Sequence, residues 1–253
     1  MTETIILIIA AFVTSMISAV IGMGGGVTLL GIMAIIIPEG YLVVAYHGII
    51  QLVSNVTRAT IYRDYIARPI FSHFLVGAIP GLIIAAIMIY GLMQYYGVSS
   101  ASQIKIDYLK PLIGIYILWF LYLRNKNKKA PEKAFIWMGG LSGLVTVFIG
   151  AAGPLIAPFF ITKDLTKENV IATKAACQAL GHLGKMPIFI YLFGVNYFQE
   201  LTILLPLIIA VYFGTHIGKK LLGQLPENTF IILFKVALTL IAIRLILNVY
   251  LYL

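Results

Sequence analysis

Polar residues are scarce along this chain, and two groups of them interrupt the apolar runs with a helical period. His47, Gln51, Asn55 and Arg58 follow one another at steps of four, four and three, and so do Lys174, Gln178, His182 and Lys185. Each set therefore lies along one face of a helix whose other positions are mostly apolar. The full pattern predicts eight hydrophobic segments, over residues 4–38, 41–62, 69–96, 106–123, 134–162, 169–193, 200–222 and 229–252. Apolar runs of about 18 residues or more predict membrane spans. Segments one and five are too long for one helix and too short for two full crossings. Glycines interrupt both, at Gly22-Met-Gly-Gly-Gly26 and Gly150-Ala-Ala-Gly-Pro154. A broken or re-entrant helix hairpin is the expected form of each.

The run 124–133, from Arg124 to Lys133, is the most basic in the chain and separates segments four and five. It divides the chain into an N-terminal repeat, 1–123, and a C-terminal repeat, 134–253, joined by a cytoplasmic linker. Three features recur in the same order in both: the glycine break, the polar stripe, and a small-residue pair, Gly77-x-x-x-Gly81 and Gly214-x-x-x-Gly218. That order argues for internal duplication, and the spacing of the small pairs lets helix backbones approach closely. If every segment crossed once, basic residues would divide eight against six between the two faces. If segments one and five enter and return, the division becomes twelve against two. The second arrangement obeys the positive-inside rule, inverts the two repeats, and puts both termini outside.

Composition narrows the class further. Hydrophobic residues make up 61% of the chain and charged residues 11%, against about 45–50% and about 25% for soluble domains. The expected fold is an all-α polytopic membrane protein. The net charge of +9 does not indicate nucleic acid, because the lysines and arginines sit at segment ends and loops, where topology requires them. The first segment is not expected to be a cleaved signal peptide, since Met1-Thr-Glu-Thr4 carries no positive charge. Cys177, the single cysteine, excludes an intramolecular disulfide. No His/Cys/Asp/Glu group has metal-ligand spacing and no Walker loop is present. No metal, no cofactor and no enzymatic activity are therefore expected.

The polar stripes carry the candidate chemistry. Arg58, Lys174 and Lys185 are cationic, His47 and His182 can become so, and neither stripe contains an acid. Such a set attracts anions and repels cations. The helices restarting after the glycine breaks add amide-rich ends, and Pro154 suits a first helical turn. The substrate-binding candidates are His47, Gln51, Asn55, Arg58, Lys174, Gln178, His182 and Lys185, with Gly24, Gly25, Gly26 and Gly153. Taken singly, each has a plainer reading. Arg58 and Lys174 could snorkel to the interface, and Gln51, Gln178 and Asn55 could join helices. His73 and His216 read as interfacial or packing histidines, Tyr95, Tyr96, Tyr250 and Tyr252 as interface anchors, and Arg244 as a snorkelling side chain.

The glycine cluster, the His-x-x-x-Gln-x-x-x-Asn-x-x-Arg helix and the late Gly214-Thr-His-Ile-Gly-Lys-Lys-Leu-Leu222 with Leu225-Pro226 resemble the TauE/SafE family of membrane permeases. The resemblance spans essentially the whole chain. It implies transport of sulfur-containing anions such as sulfite, sulfoacetate and other organosulfonates, usually outward. The family break carries a proline shortly after its glycines. Here the first break has Leu30-Gly31 in that region, and the second keeps its proline but loses glycines. The expected function is secondary transport of a small anion across the plasma membrane by alternating access between inverted repeats. A passive anion channel is the alternative. The expected partners are the substrate anion and the lipid bilayer; the small-residue faces also suit a homodimer.

Overall fold

The computed structural model describes residues 2–22, 24–104, 114–115, 117–123, 131, 133–161, 165–222 and 226–247. Among them are nine α-helices and no strand: α1 (Thr2–Ile21), α2 (Gly25–Ile36), α3 (Gly40–Ile61), α4 (Arg68–Tyr96), α5 (Ala134–Ile149), α6 (Gly153–Ile161), α7 (Lys167–Phe193), α8 (Leu201–Leu222) and α9 (Glu227–Leu247). Most of the linker 124–133, half of segment four, Lys105, Lys110, Lys163, Leu225, Tyr250 and Tyr252 lie outside the described residues. What is described of segment four packs on α9: Gly114 abuts Ala242, and the Tyr122 hydroxyl meets Thr239 Oγ1 at 2.6 Å.

Segments one and five are each split at their glycines. α1 stops before Gly22, and α2 starts after Gly24; both glycines hold positive φ, 78° and 93°. α5 stops at Gly150, φ 87°, which caps it in the left-handed region. A side chain at these φ values is strained, so glycine sets the break points. A Cβ on Gly25 would collide with the Thr14 carbonyl, 1.8 Å away. A chain that continued along the axis of α1 would put those residues about 1.5 Å apart for each position between them. The chain instead doubles back, and α2 starts alongside the last turns of α1. With 12 residues, α2 is about 18 Å long, roughly half of the hydrocarbon core.

Three helices are long and apolar enough to cross a membrane by length and composition: Thr2–Ile21, Arg68–Tyr96 and Leu201–Leu221. α3 and α7 have the length too, but they carry the polar stripes, and they pack against each other at the centre of the molecule. α1 packs on α8, and α5 packs on α4. Glycines make both outer contacts close. Gly77 and Gly81 on α4 lie against the Ile136 and Gly140 carbonyls of α5, and Gly214 and Gly218 on α8 lie against the Phe12 and Met16 carbonyls of α1. These are the two small-residue pairs read from the sequence, and in each the missing Cβ admits a neighbouring backbone.

The burial pattern inverts that of a soluble protein. Ile5, Ile9, Ile83, Ile87, Leu205 and Phe213 are exposed on the outer helices, while His47, Gln51, Asn55, Arg58, Lys174, His182 and Lys185 are buried. An apolar exterior around a polar interior suits lipid as the surrounding solvent. Gly31, which stands where a proline was anticipated, is the seat of the Arg244 guanidinium: a Cβ there would meet Nη2 at 2.0 Å. Arg244 is exposed, as a snorkelling side chain would be, but it also fastens α9 to α2.

Candidate functional site

α3 and α7 run antiparallel, so their stripes face each other in opposite order. His47 meets His182, with ring centroids 5.8 Å apart and edge to face. The Gln51 amide lies against Gly26, and the Gln178 amide against Gly153. Each glutamine thus touches the first turn of the helix that restarts after the break in its own half, at a glycine that leaves room for it. α7 is held in register by a capping box at Thr166 and Asn169 and ends in the left-handed Gly194; such caps stabilise helix ends by about 1 kcal/mol.

Between these elements lies a chamber of about 20 Å³, lined by Ser18, Gly24, Gly26, Val27, His47, Gln51, Arg58, Ala151, Gly153, Pro154, Lys174, Gln178 and His182. Nine of the twelve sequence candidates are among these residues. The other three stand back. Asn55 turns its Oδ1 to the Arg58 guanidinium, which donates from Nη2 at 2.7 Å. Lys185 passes Gly48 and donates to the Gly150 carbonyl at 3.1 Å. Gly25 is pressed against Thr14. Ser18, Val27, Ala151 and Pro154 complete the lining without having been singled out as ligands. Ser18 could have been found from its place one turn before Gly22: its carbonyl accepts the Gly22 amide at 2.9 Å and Arg58 Nη1 at 3.1 Å.

Burial decides between snorkelling and an inward orientation. Arg58 is 2% exposed, Lys174 1% and Lys185 0%. Arg58 Nη1 also reaches Ser18 Oγ at 3.3 Å, Lys174 Nζ donates to the Gly22 carbonyl, and His47 Nε2 donates to the Gly26 carbonyl at 2.7 Å. None of the three cations has a carboxylate partner among the described residues, and no acidic side chain lines the chamber. The buried Nδ1 atoms of His47 and His182 have no hydrogen-bond partner among the described residues. Burying a cation without a counter-charge costs several kcal/mol, and backbone carbonyls recover only part of it. The first turns of α2 and α6 border the same space and add partial positive charge. Taken together, the chamber is electrically unfinished in the sense that an anion would complete. His73 and His216 each bond the carbonyl one turn back on their own helix, at Pro69 and Tyr212, as packing histidines do. No group of His, Cys, Asp and Glu suited to a metal occurs among the described residues.

A family model for the sulfite exporter TauE/SafE matches residues 7–245. The chain belongs to the TauE/SafE family. The family is one of membrane transporters for sulfur-related anions, not of enzymes, and this TauE/SafE member is an integral membrane protein. No curated protein and no solved structure matches the chain.

Proposed function

We propose that this protein is a secondary transporter of the plasma membrane that moves a small sulfur-containing anion, such as sulfite or an organosulfonate, by alternating access between two inverted repeats. One observation carries the reading: two buried cations, Arg58 and Lys174, line a chamber with no acid among its described lining residues, and a third, Lys185, is buried behind it. Arg58 and Lys174 neutralise the substrate, Gln51 and Gln178 orient its oxygens, and the free Nδ1 atoms of His47 and His182 complete the shell. Asn55 and Lys185 act from behind, Asn55 by fixing the guanidinium and Lys185 through its charge.

The helix pairing supports the repeats. The first helix of each half packs on the helix that bears the small-residue pair of the other half, α1 on α8 and α5 on α4. The chamber size favours a carrier over a passive channel. About 20 Å³ is little more than the roughly 10–15 Å³ that one water needs, so an oxyanion enters only if the repeats move.

Thermal shift of the purified protein with sulfite, alkanesulfonates, sulfate and carboxylates tests the reading. A ligand that binds only the folded state raises the melting temperature with its concentration. Stabilisation by sulfite or sulfonates that disappears in Lys174→Met is the expected result. No response to any anion would remove the proposal, and rapid uncoupled current in proteoliposomes would replace the carrier with a channel.

A further inference from the structure

A second, larger cavity, about 620 Å³, lies at one end of the α3–α7 pair. It is enclosed by the end of α2 and its turn into α3, by α4, by the 3-10 turn Ala101–Gln103, and by the facing ends of α5 and α7. It has no described lining residue in common with the polar chamber, but three of its lining residues lie one turn from the stripes or the second break. Val43 lies one turn before His47, Phe189 one turn beyond Lys185, and Val147 one turn before the second glycine break. These three apolar side chains are nearly or fully buried and lie on the chamber side of the vestibule in the chain order of their helices. Further out, Phe193 stacks on Phe189 at 4.4 Å and on Tyr41 at 6.2 Å between ring centroids. Glu39 is the single charged side chain among the described lining residues.

The opposite end holds the same positions in the other state. Val170 lies one turn before Lys174 and Tyr62 one turn beyond Arg58, the counterparts of Val43 and Phe189. Both are buried in one packed cluster with Phe160, and Ile21, Ile66 and Leu165 close over it. That end is also fastened. Asn169 Nδ2 donates to the Tyr65 carbonyl at 2.7 Å, the Ala67 amide donates to Thr173 Oγ1 at 2.8 Å, and Lys219 lies over the Tyr62 ring. Arg63, Arg68 and Lys167 flank the fastened end, which the positive-inside rule assigns to the cytoplasm.

We propose that the 620 Å³ cavity is the external vestibule through which the anion reaches the chamber, that Val43, Val147 and Phe189 are its neck, and that its ligands are anions carrying an apolar body. The volume matches small-molecule sites, about 300–1,000 Å³ with mostly apolar and aromatic walls. A bare oxyanion finds no donor cluster there, whereas an organic anion can lodge its body on the Tyr41–Phe193–Phe189 stack with its head toward the neck. The ligand class rests on the anion reading above; the one-sided opening does not.

Cysteine accessibility tests this directly. In a Cys177→Ala background, Ala34→Cys and Leu92→Cys place thiols on the vestibule wall, and Ile66→Cys and Val170→Cys place them at the fastened end. Intact cells are treated with a membrane-impermeant methanethiosulfonate, and thermal melting verifies that each variant is folded. The vestibule thiols should react about tenfold faster than the others, as when the opposite state is a minor one. Hexanesulfonate should slow that reaction at concentrations where sulfate does not. Equal reaction at both ends, no reaction at either vestibule position, or equal protection by sulfate would overturn the assignment. One-sided labelling in a protein that no anion stabilises would remove the anion reading and leave the external opening standing. Anion-specific stabilisation without one-sided labelling would do the reverse.

Discussion

At one end of the α3–α7 pair, Tyr62 and Val170 are packed beneath Ile66 and Leu165; at the other, Phe189 and Val43 border 620 Å³ of space. The stripes beneath the two ends are built alike, a cation or histidine one turn in and a glutamine at the middle. The ends differ in what holds them. Two hydrogen bonds and a cation over an aromatic ring tie the 62–67 segment to α7 and α8. Across the vestibule the contacts are stacked rings and one long hydrogen bond, from Ser100 Oγ to the Phe193 carbonyl at 3.4 Å. Directional bonds shut one end and largely non-directional packing leaves the other free to open.

The charges show a second difference between the ends. Arg58 and Lys174 both converge on the first break, through Ser18 and Gly22, whereas Lys185 alone serves the second, through Gly150. The largest expected effect follows from this. Removing a buried charge that contacts a bound anion costs about 2–5 kcal/mol, so Arg58→Met and Lys174→Met should each weaken anion binding by about 30-fold or more in a thermal-shift titration. Lys185→Met, set back from the lining, should cost about tenfold at most, because the charge acts at longer range. Equal losses for all three would erase the distinction. Without ligand, Lys174→Met should melt higher than the parent, because an uncompensated buried charge has been removed.

The next largest effect concerns the scaffold that carries both ends. Gly77→Ala drives a Cβ to 1.8 Å from the Ile136 carbonyl, and Gly214→Ala drives one to 2.4 Å from that of Phe12. Overpacking of this kind costs about 1–3 kcal/mol, read as a fall in melting temperature, with Gly91→Ala, which meets open space, nearly silent. Matching falls for the two glycines would sharpen the likeness of the outer helix pairs; a fall for one alone would break it.

Cutting the fastened end gives a smaller change in stability but a clear change in shape. Each hydrogen bond contributes about 1 kcal/mol net, so Asn169→Ala with Thr173→Val should shift the balance between the ends by about 30-fold. The readout is faster thiol labelling of Val170→Cys from the cytoplasmic side, and an unchanged rate would mean that packing, not bonding, keeps that end shut. Smallest of all, Gly40→Ala at the vestibule rim meets nothing within 4 Å, and it should change the melting temperature only slightly, upward if at all, by helix propensity.

Much of this was legible in the sequence because lipid simplifies the code. Apolar runs gave the described helices to within a few residues, the steps of four, four and three placed six of eight stripe residues around one chamber, and the glycine breaks placed three of four glycines there. The departures have local causes. Asn55 and Arg58 share a helix face three residues apart, so the longer side chain can fold back onto the shorter; spacing alone does not say which faces the chamber. Gly24, Gly25 and Gly26 look interchangeable in sequence, but once the chain doubles back, the middle one is wedged against α1. Ser18 reads as any small polar residue in a helix until the bend brings its carbonyl under Arg58. The vestibule was not legible at all, because it is lined by six elements spread from residue 34 to residue 193.

α9 touches α1, lies along α6, and sets Arg244 into the gap left at Gly31. One element therefore leans on both of the broken segments at once. If the proposed rocking takes place, one broken segment slides past the other along this common rail, and the reach of a single arginine side chain bounds the stroke.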